Sequence, residues 1–377
     1  MSRTKVMTVV GTRPEIIRLS ETIKLLDAHV DHVLVHTGQN YDYTLNEVFF
    51  SDLGLRAPDH YLGVDTSSLG RVLGEVLIKT EEMLLAERPD ALLVLGDTNS
   101  CLSAVMAKRM RIPVYHMEAG NRCFDENVPE ETNRRLVDHV ADFNLVYTEH
   151  ARRNLLAEGL PPRRILKTGS PMKEVLAAHA ERIDASGVLA EQGLSAGAYV
   201  LVSAHREENV DDPARLHALL DCLERTVTEF GHPVLVSTHP RTRKRLDALG
   251  RAVEGITFHE PLGFLDYNHL QKNSFCVLSD SGTIAEESSL LGFPAVTLRA
   301  SIERPEALDT GSIPMTDLDP DNVVEAVRFV TAGLAPAEVP ADYQIGDTAR
   351  RTVSFILSTH RRHASWAGIR TPGTGGR

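Results

Sequence analysis

"DALLVLGDTNSCLSAVMAKRMRIPVYHMEAGN", residues 90–121, decides the fold. An apolar run ends in the polar turn GDTNS, and SCLSAVMAKRMR follows with a helical pattern. A second apolar run, IPVY, then ends in HMEAGN. Two such runs separated by a helix are parallel strands joined by a crossover, each with a polar turn at its carboxyl end. Working outward, KVMTVVGTRPE and HVDHVLVHTGQN precede this unit, and FNLVYTEH and RILKTGS follow it. After an irregular stretch near residues 171–197 the alternation restarts with AYVLVSAHRE, HPVLVSTHPR, GITFHEPL, SFCVLSDSG and FPAVTLRAS. The expected fold is therefore α/β, with two Rossmann-like doubly wound domains facing across a cleft. Ligands in such sheets bind beyond the carboxyl ends of the strands. GTRPE, GDTNS, HMEAG, SAHRE, STHPR and SDSGT all fall there.

The expected division is residues 1–172 for the first domain and 173–347 for the second. A C-terminal helix over 348–362 should pack back on the first domain. The basic, glycine-rich remainder, 363–377, reads as a disordered tail. Of the 377 residues, 42% are hydrophobic and 24% charged, enough for two real cores. Without a signal peptide or a membrane-length apolar run, cytoplasmic residence is expected. The net charge of -12 argues against nucleic acid or an anionic membrane as partner. It leaves room for a small anionic ligand, since a local Arg/His cluster dominates within a Debye length of about 8 Å. The four cysteines are scattered without C-x-x-C spacing, so they read as free thiols rather than a disulfide or metal set.

"SDSGTIAEESSLLGFP" (279–294) is the clearest ligand signal. Ser281, Gly282 and Thr283 stand where a strand hands over to a helix, offering free N–H groups, two hydroxyls and the helix dipole to a phosphate. Gly282 would let an oxyanion approach the main chain, and Glu287 suits a ribose. The plainer alternative is that Ser281 and Thr283 only cap the helix. Arg13, His205, Arg206, His239 and Arg241 stand at other strand ends, which favours a pyrophosphate pocket. The first half supplies carboxylates instead: Asp97 in GDT, Glu118 in MEAG and Glu131 in PEETNRR. Asp97 could cap the helix starting near Asn99, and Glu131 could make surface i,i+4 pairs with the neighbouring arginines. Glu118, at an apolar strand end, is harder to explain that way. A cation-rich wall for a diphosphate and a carboxylate-rich wall for moving protons is the combined reading. No G-x-G-x-x-G follows a strand, so a bound dinucleotide is not expected.

Together, GTRPE, GDT, EAG, PEETNR, AHRE, DSGTIAEE and ERPE resemble the non-hydrolysing UDP-N-acetylglucosamine 2-epimerases over residues 4–360. The resemblance implies a GT-B-like pair of domains, a homodimer and interconversion of UDP-GlcNAc and UDP-ManNAc without NAD or metal. It implies catalytic roles for Asp97, Glu118, Glu131 and His205. It implies UDP contacts for Arg13, His239, Ser281, Gly282, Thr283, Glu287 and Arg304, with Arg206 and Arg122 as further contacts. The chain departs from the family pattern at Thr283 (commonly Gly), in EAGNRC, in TGSPMKE, and after Gln39, where Asn40 and Tyr41 replace residues linked to allosteric activation. These variants resemble a branch acting on UDP-2-acetamido-2,6-dideoxy-L-talose to give UDP-N-acetyl-L-fucosamine. A GT-B glycosyltransferase and a non-catalytic nucleotide-sugar binding module are the rival classes. A transferase would need an acceptor groove and have no use for Glu118 and Glu131 at C2, and a binding module would leave C2–H unexchanged in heavy water.

Overall fold

The computed structural model describes residues 3–38, 49–238, 242–243, 245–246, 251 and 253–369. Two compact units divide them. Unit 1 comprises Met1–Arg122, Pro129–Val175 and Ile345–Arg377, and unit 2 comprises Cys123–Val128 and Leu176–Gln344.

Unit 1 is built on a parallel sheet of strands β1 (Lys5–Val10), β2 (Asp31–His36), β3 (His60–Tyr61), β4 (Ala91–Leu95), β5 (Val114–Met117), β6 (Phe143–Val146) and β7 (Ile165–Lys167). Their order across the sheet is β3-β2-β1-β4-β5-β6-β7. Every residue of β4 and β5 is buried, as a sheet covered on both faces requires. The order reverses between β1 and β4, which pair directly, so the crevice of this sheet opens at the carboxyl ends of those two strands. Helix α1 (Arg13–His29) starts there, and helix α2 (Pro129–Val140) precedes β6.

Unit 2 carries a parallel sheet of β8 (Val200–Ser203), β9 (Val234–Ser237), β10 (Ile256–His259), β11 (Cys276–Ser279) and β12 (Ala295–Thr297), ordered β10-β9-β8-β11-β12. Its strands alternate between two cores. Val200, Val202, Val234, Val236, Cys276 and Leu278 face one, while Leu201, Leu235, Val277 and Ala295 face the other. The period of two puts apolar side chains on both faces, which is why these segments read as unbroken apolar runs. The switch point lies between β8 and β11, and helix α3 (Ile284–Leu291) follows β11.

The chain returns to unit 1 through helix α4 (Thr348–Thr359), which packs on α1. Two features differ from the sequence expectation. The first domain is not continuous, because Cys123–Val128 belongs with unit 2, where Ser301 Oγ donates to Asp125 Oδ2 at 3.2 Å. The expected tail is also ordered as far as residue 369. His363–Trp366 form a helical turn, His363 is buried beside Asp142, and the Trp366 ring meets Phe143 edge-on at 6.2 Å. Residues 370–377 lie outside the described residues. All four cysteines are buried free thiols.

Candidate active site

The site of unit 1 grows from the ends of β1, β4 and β5. At the switch point Glu15, in the first turn of α1, takes hydrogen bonds from the N–H groups of Gly11 and Thr12 (2.8 Å for Thr12). Its other oxygen accepts from Thr98 Oγ1 at 2.6 Å and from Ser100 Oγ. The GTRPE and GDTNS turns are thereby fastened together. Burial raises the Glu15 carboxyl above its ordinary value, against the opposing pull of these hydrogen bonds.

Two residues past the end of β4, Asp97 does not cap the following 3-10 turn, whose N-cap is Thr98. Its Oδ2 instead accepts from Arg134 Nε (2.9 Å) and NH2 (2.6 Å). The same guanidinium donates through NH1 to Glu131 Oε2 at 2.9 Å, and Arg135 Nε donates to Glu131 Oε1 at 2.9 Å. Glu131 and Arg134 are buried, so their pair is not a solvated surface one, whereas Arg135 reaches Glu131 from an exposed position. Arg134 holds two carboxylates beside each other, a juxtaposition whose repulsion an intervening cation offsets.

Glu118 follows β5 with φ 65, a left-handed backbone on a non-glycine residue. That conformation costs about 1–2 kcal/mol and persists only where its surroundings impose it. Its buried carboxylate pairs with Arg18 on α1 through Oε2, and Asn121 Nδ2 donates to Oε1 at 3.4 Å. A Cβ on Gly96 would come within 4.0 Å of Glu118 Oε2, so this carboxylate lies against the turn that carries Asp97. Behind it, Arg122 is wholly taken up. Its NH1 donates to Asp138 (2.7 Å), while Nε and NH2 donate to Glu158 (2.8 and 2.7 Å), and the side chain is inaccessible. Arg122 therefore leaves the set of ligand contacts, because a guanidinium committed to two carboxylates inside unit 1 has nothing to offer a phosphate. Arg13 is half-buried at the start of α1, with its guanidinium 5.5 Å from the centre of the Phe49 ring.

In unit 2 the centre is Asp280, fully buried just past β11. It accepts from the backbone N–H groups of His205 and Arg206, each at 3.1 Å, and from Asn209 Nδ2 at 3.1 Å. These bonds cross the switch point from β11 to the turn after β8 and leave the His205 ring exposed. Ser281 Oγ and Thr283 Oγ1 lie 2.9 Å apart, and Thr283 N–H donates to Ser281 Oγ at 3.3 Å. Thr283 stands at the N-cap of α3 but makes no side-chain cap bond, so its hydroxyl is turned to Ser281 instead.

Gly282 stands beside two guanidinium groups. A Cβ there would sit 2.6 Å from Arg304 NH1 and 3.5 Å from Arg206 NH2, so the space left by the missing side chain holds guanidinium. Arg304 NH1 donates to the Gly282 carbonyl at 2.5 Å, and Arg206 donates to the Asp280 carbonyl and to Glu303, both at 3.1 Å. Two arginines thus converge on the strand-to-helix turn, and Glu303 and Glu286 hold them from behind. Glu287 is buried, and Gln271 Nε2 donates to its Oε2 at 2.7 Å. His239 and Arg241, and likewise Gln39, Asn40 and Tyr41, lie outside the described residues.

Reading the sequence missed Glu15, Arg18, Asp138, Asp280 and Glu303. Arg18 stands one turn past Glu15, and Asp138 two turns past Glu131. Helical spacing alone puts Asp138 on the face of a recognised residue, a signal that was available, whereas the neighbour of Arg18 was itself missed.

A family model described as UDP-N-acetylglucosamine 2-epimerase matches residues 24–357. The structure superimposes on that of UDP-N-acetylglucosamine 2-epimerase from Rickettsia bellii with a TM-score of 0.91 and 43% identity, covering 98% of this chain and 100% of the other. Against the Methanocaldococcus jannaschii UDP-GlcNAc 2-epimerase in complex with UDP-GlcNAc and UDP, the TM-score is 0.89 at 32% identity, covering 94% and 100%. A Pseudomonas aeruginosa relative, UDP-2,3-diacetamido-2,3-dideoxy-D-glucuronate 2-epimerase, is 34% identical over 86% of this chain and 91% of its own. The chain belongs to the UDP-N-acetylglucosamine 2-epimerase family.

Proposed function

We propose that this protein is an isomerase that inverts C2 of a UDP-N-acetylhexosamine, with UDP-GlcNAc and UDP-ManNAc as the leading pair. One observation carries the reading: Asp97, Glu118 and Glu131 stand at the ends of two adjacent parallel strands and the start of α2, held there by arginines. The C2 hydrogen of such a sugar has no neighbouring carbonyl to acidify it. Breaking the C1–O bond to UDP gives C1 cationic character, and a carboxylate can then take the C2 proton. The C1–O electron pair leaves with UDP, the C2–H pair becomes the C1=C2 bond, and the product is a 2-acetamidoglycal. A β-phosphate oxygen of UDP re-adds to C1 while a proton returns to the opposite face of C2. Acid/base groups are needed for both faces, which is a use for several carboxylates.

Unit 2 supplies the groups for the departing diphosphate: Ser281 and Thr283 at the start of α3, Arg304 and Arg206 beside Gly282, and the exposed His205. Arg13, His239 and Glu287 complete the proposed contacts. Neither a dinucleotide nor a metal takes part in this chemistry. Among the described residues no helix is long and apolar enough to cross a membrane, and cytoplasmic residence is the proposed location. A homodimer is the proposed assembly, supported by Ile78 and Leu85, which stand exposed seven residues apart on the helix Leu69–Glu87.

The sugar is a separate matter. The P. aeruginosa relative is named for a different sugar at similar identity, which supports one chemistry serving several substrates. The second reading is therefore C2 inversion of UDP-2-acetamido-2,6-dideoxy-L-talose. The test is incubation in heavy water, without NAD or metal, with UDP-GlcNAc and with the L-talose compound, followed by NMR. Deuterium is expected at C2 of the converted sugar, with slow leakage of UDP and glycal. Turnover that keeps the original C2 hydrogen refutes the mechanism, and conversion of UDP-GlcNAc alone refutes the second substrate.

A further inference from the structure

One buried carboxylate of unit 1 lies behind the proposed catalytic cluster and takes no part in the chemistry above. Asp138, on α2, is inaccessible to solvent. Both its oxygens accept from the Gly120 N–H, at 3.2 and 3.1 Å. Oδ1 is also bonded to His116 Nδ1 at 2.9 Å, and Oδ2 accepts from Arg122 at 2.7 Å. On its other side the His116 ring meets the Gly96 carbonyl, with Nε2 at 2.8 Å. The ring thus bridges the Asp138 carboxyl group and the Gly96 carbonyl. Arg122 pairs with Asp138 and Glu158 within the fold, as a buried charge requires.

These bonds surround the Glu118 turn. His116 lies two residues before Glu118 and Gly120 two residues after, and Asp138 grips both. Through His116 the same carboxylate reaches Gly96, the neighbour of Asp97. Gly120 has φ 83, and a Cβ on it would meet the Ala151 carbonyl and come within 3.0 Å of Leu155. A side chain there would clash and be strained, so only glycine fits this turn. Asp138 lies seven residues beyond Glu131 on α2, on the same buried face. One helix thus presents a proposed acid/base group and the clamp on a second.

We propose that Asp138 is a positioning residue: by binding Gly120 N–H and His116 together it imposes the left-handed backbone of Glu118 and so sets the aim of the Glu118 carboxylate. This rests on the epimerase reading for its consequence in catalysis, though not for its consequence in structure. Displacing a reacting group by about 1 Å costs on the order of 100-fold in rate.

The test is Asp138→Asn in the full chain. The replacement keeps size and shape but presents an NH2 to donors. Turnover of the substrate identified in heavy water should fall about 30- to 100-fold, while KM and UDP affinity stay within about threefold. In a Glu118→Gln background the same substitution should cost less than about threefold, because the group it aims is already gone. A purely structural role would cost the same in both backgrounds. Hydrogen exchange read by mass spectrometry should show residues 116–122 exchanging at least tenfold faster in Asp138→Asn. That readout needs no activity and so separates a failed clamp from a failed epimerase assignment. Unchanged turnover, additive losses, or unchanged exchange with Glu118 still left-handed each overturn the proposal. If Asp138→Asn does not fold, His116→Gln, which cannot bridge Asp138 and Gly96 at once, carries the same three measurements.

Discussion

Gly282→Ala should weaken UDP binding by displacing Arg304, and the structure sets the size of the effect. The new Cβ would stand 2.6 Å from Arg304 NH1, whereas ordinary contact begins at 3.4 Å, so the guanidinium must retreat by about 0.8 Å. It has little room. Arg206 NH2 and Glu303 Oε2 lie 3.5 and 3.7 Å from the same Cβ, and Arg304 is itself buried with Glu286 on its other side. The 2.5 Å bond to the Gly282 carbonyl would be lost or badly stretched. A hydrogen bond to a charged donor is worth about 1.5–3 kcal/mol, and any bond from Arg304 to a diphosphate would be misaimed by the same shift. The expected loss of UDP affinity is therefore roughly 10- to 100-fold, read by calorimetric titration. A second variant separates this from the idea that Gly282 exists to admit a phosphate oxygen. If Arg304 is the occupant, Arg304→Lys should cost little more once Ala stands at 282, whereas independent effects would add. UDP affinity within twofold of wild type in Gly282→Ala, or full additivity, would refute the reasoning.

Asp97→Asn, Glu118→Gln and Glu131→Gln should keep UDP affinity within about tenfold, or 1.4 kcal/mol, while losing most turnover; a fully active Glu118→Gln removes the central group of the proposed mechanism. The C-terminal segment should be acid-labile through Asp142, which lies beside Lys108 and 3.0 Å from His363 Nε2. Burial pushes the Asp142 carboxyl up, but His363 and Lys108 outweigh it and hold it below the ordinary 3.8. A lowered carboxyl binds fewer protons folded than unfolded, so its contribution is present above about pH 4 and is lost as pH falls through the folded value. Acid unfolding followed by Trp366, the one tryptophan in the sequence, should be steeper in wild type than in Asp142→Asn; equal slopes would refute this.

What the sequence disclosed and what it concealed divide along a physical line. Strand and helix alternation is local, so the two parallel sheets and the polar strand ends were legible from apolar runs and turns. Asp97, Glu118 and Glu131 were legible because carboxylates at strand ends or among arginines stand out. Their partners were not. Arg18 pairs with a residue 100 positions away, and only the adjacency of β1, β4 and β5 brings them together. The left-handed turn at Glu118 gave no sign either, since Glu carries none of the preference that marks a glycine or asparagine. Gly282 was noticed for the right property, its missing side chain, but its neighbour is an arginine of the protein's own. Arg122 was misread because a cation at a strand end looks the same whether it awaits a ligand or faces two carboxylates already in place.

The two units solve one structural problem in the same way. At the carboxyl end of a parallel strand the backbone leaves the ladder, and its N–H groups need new acceptors if the turn is to be rigid. In unit 1 that acceptor is Asp138, which takes Gly120 N–H after β5; in unit 2 it is Asp280, which takes the N–H groups of His205 and Arg206 after β8. Each carboxylate is fully buried and has further side-chain donors, His116 and Arg122 in one case and Asn209 in the other. A buried carboxylate with several donors is costly to disturb, since breaking one bond strands a charge in a medium that solvates it poorly. Turns held this way can carry a strained Glu118 or an exposed His205 without collapsing to a more comfortable conformation. The proposed elimination and re-addition would draw on that rigidity, because the glycal has lost its covalent tether and fixed groups must then decide which face of C2 receives the proton.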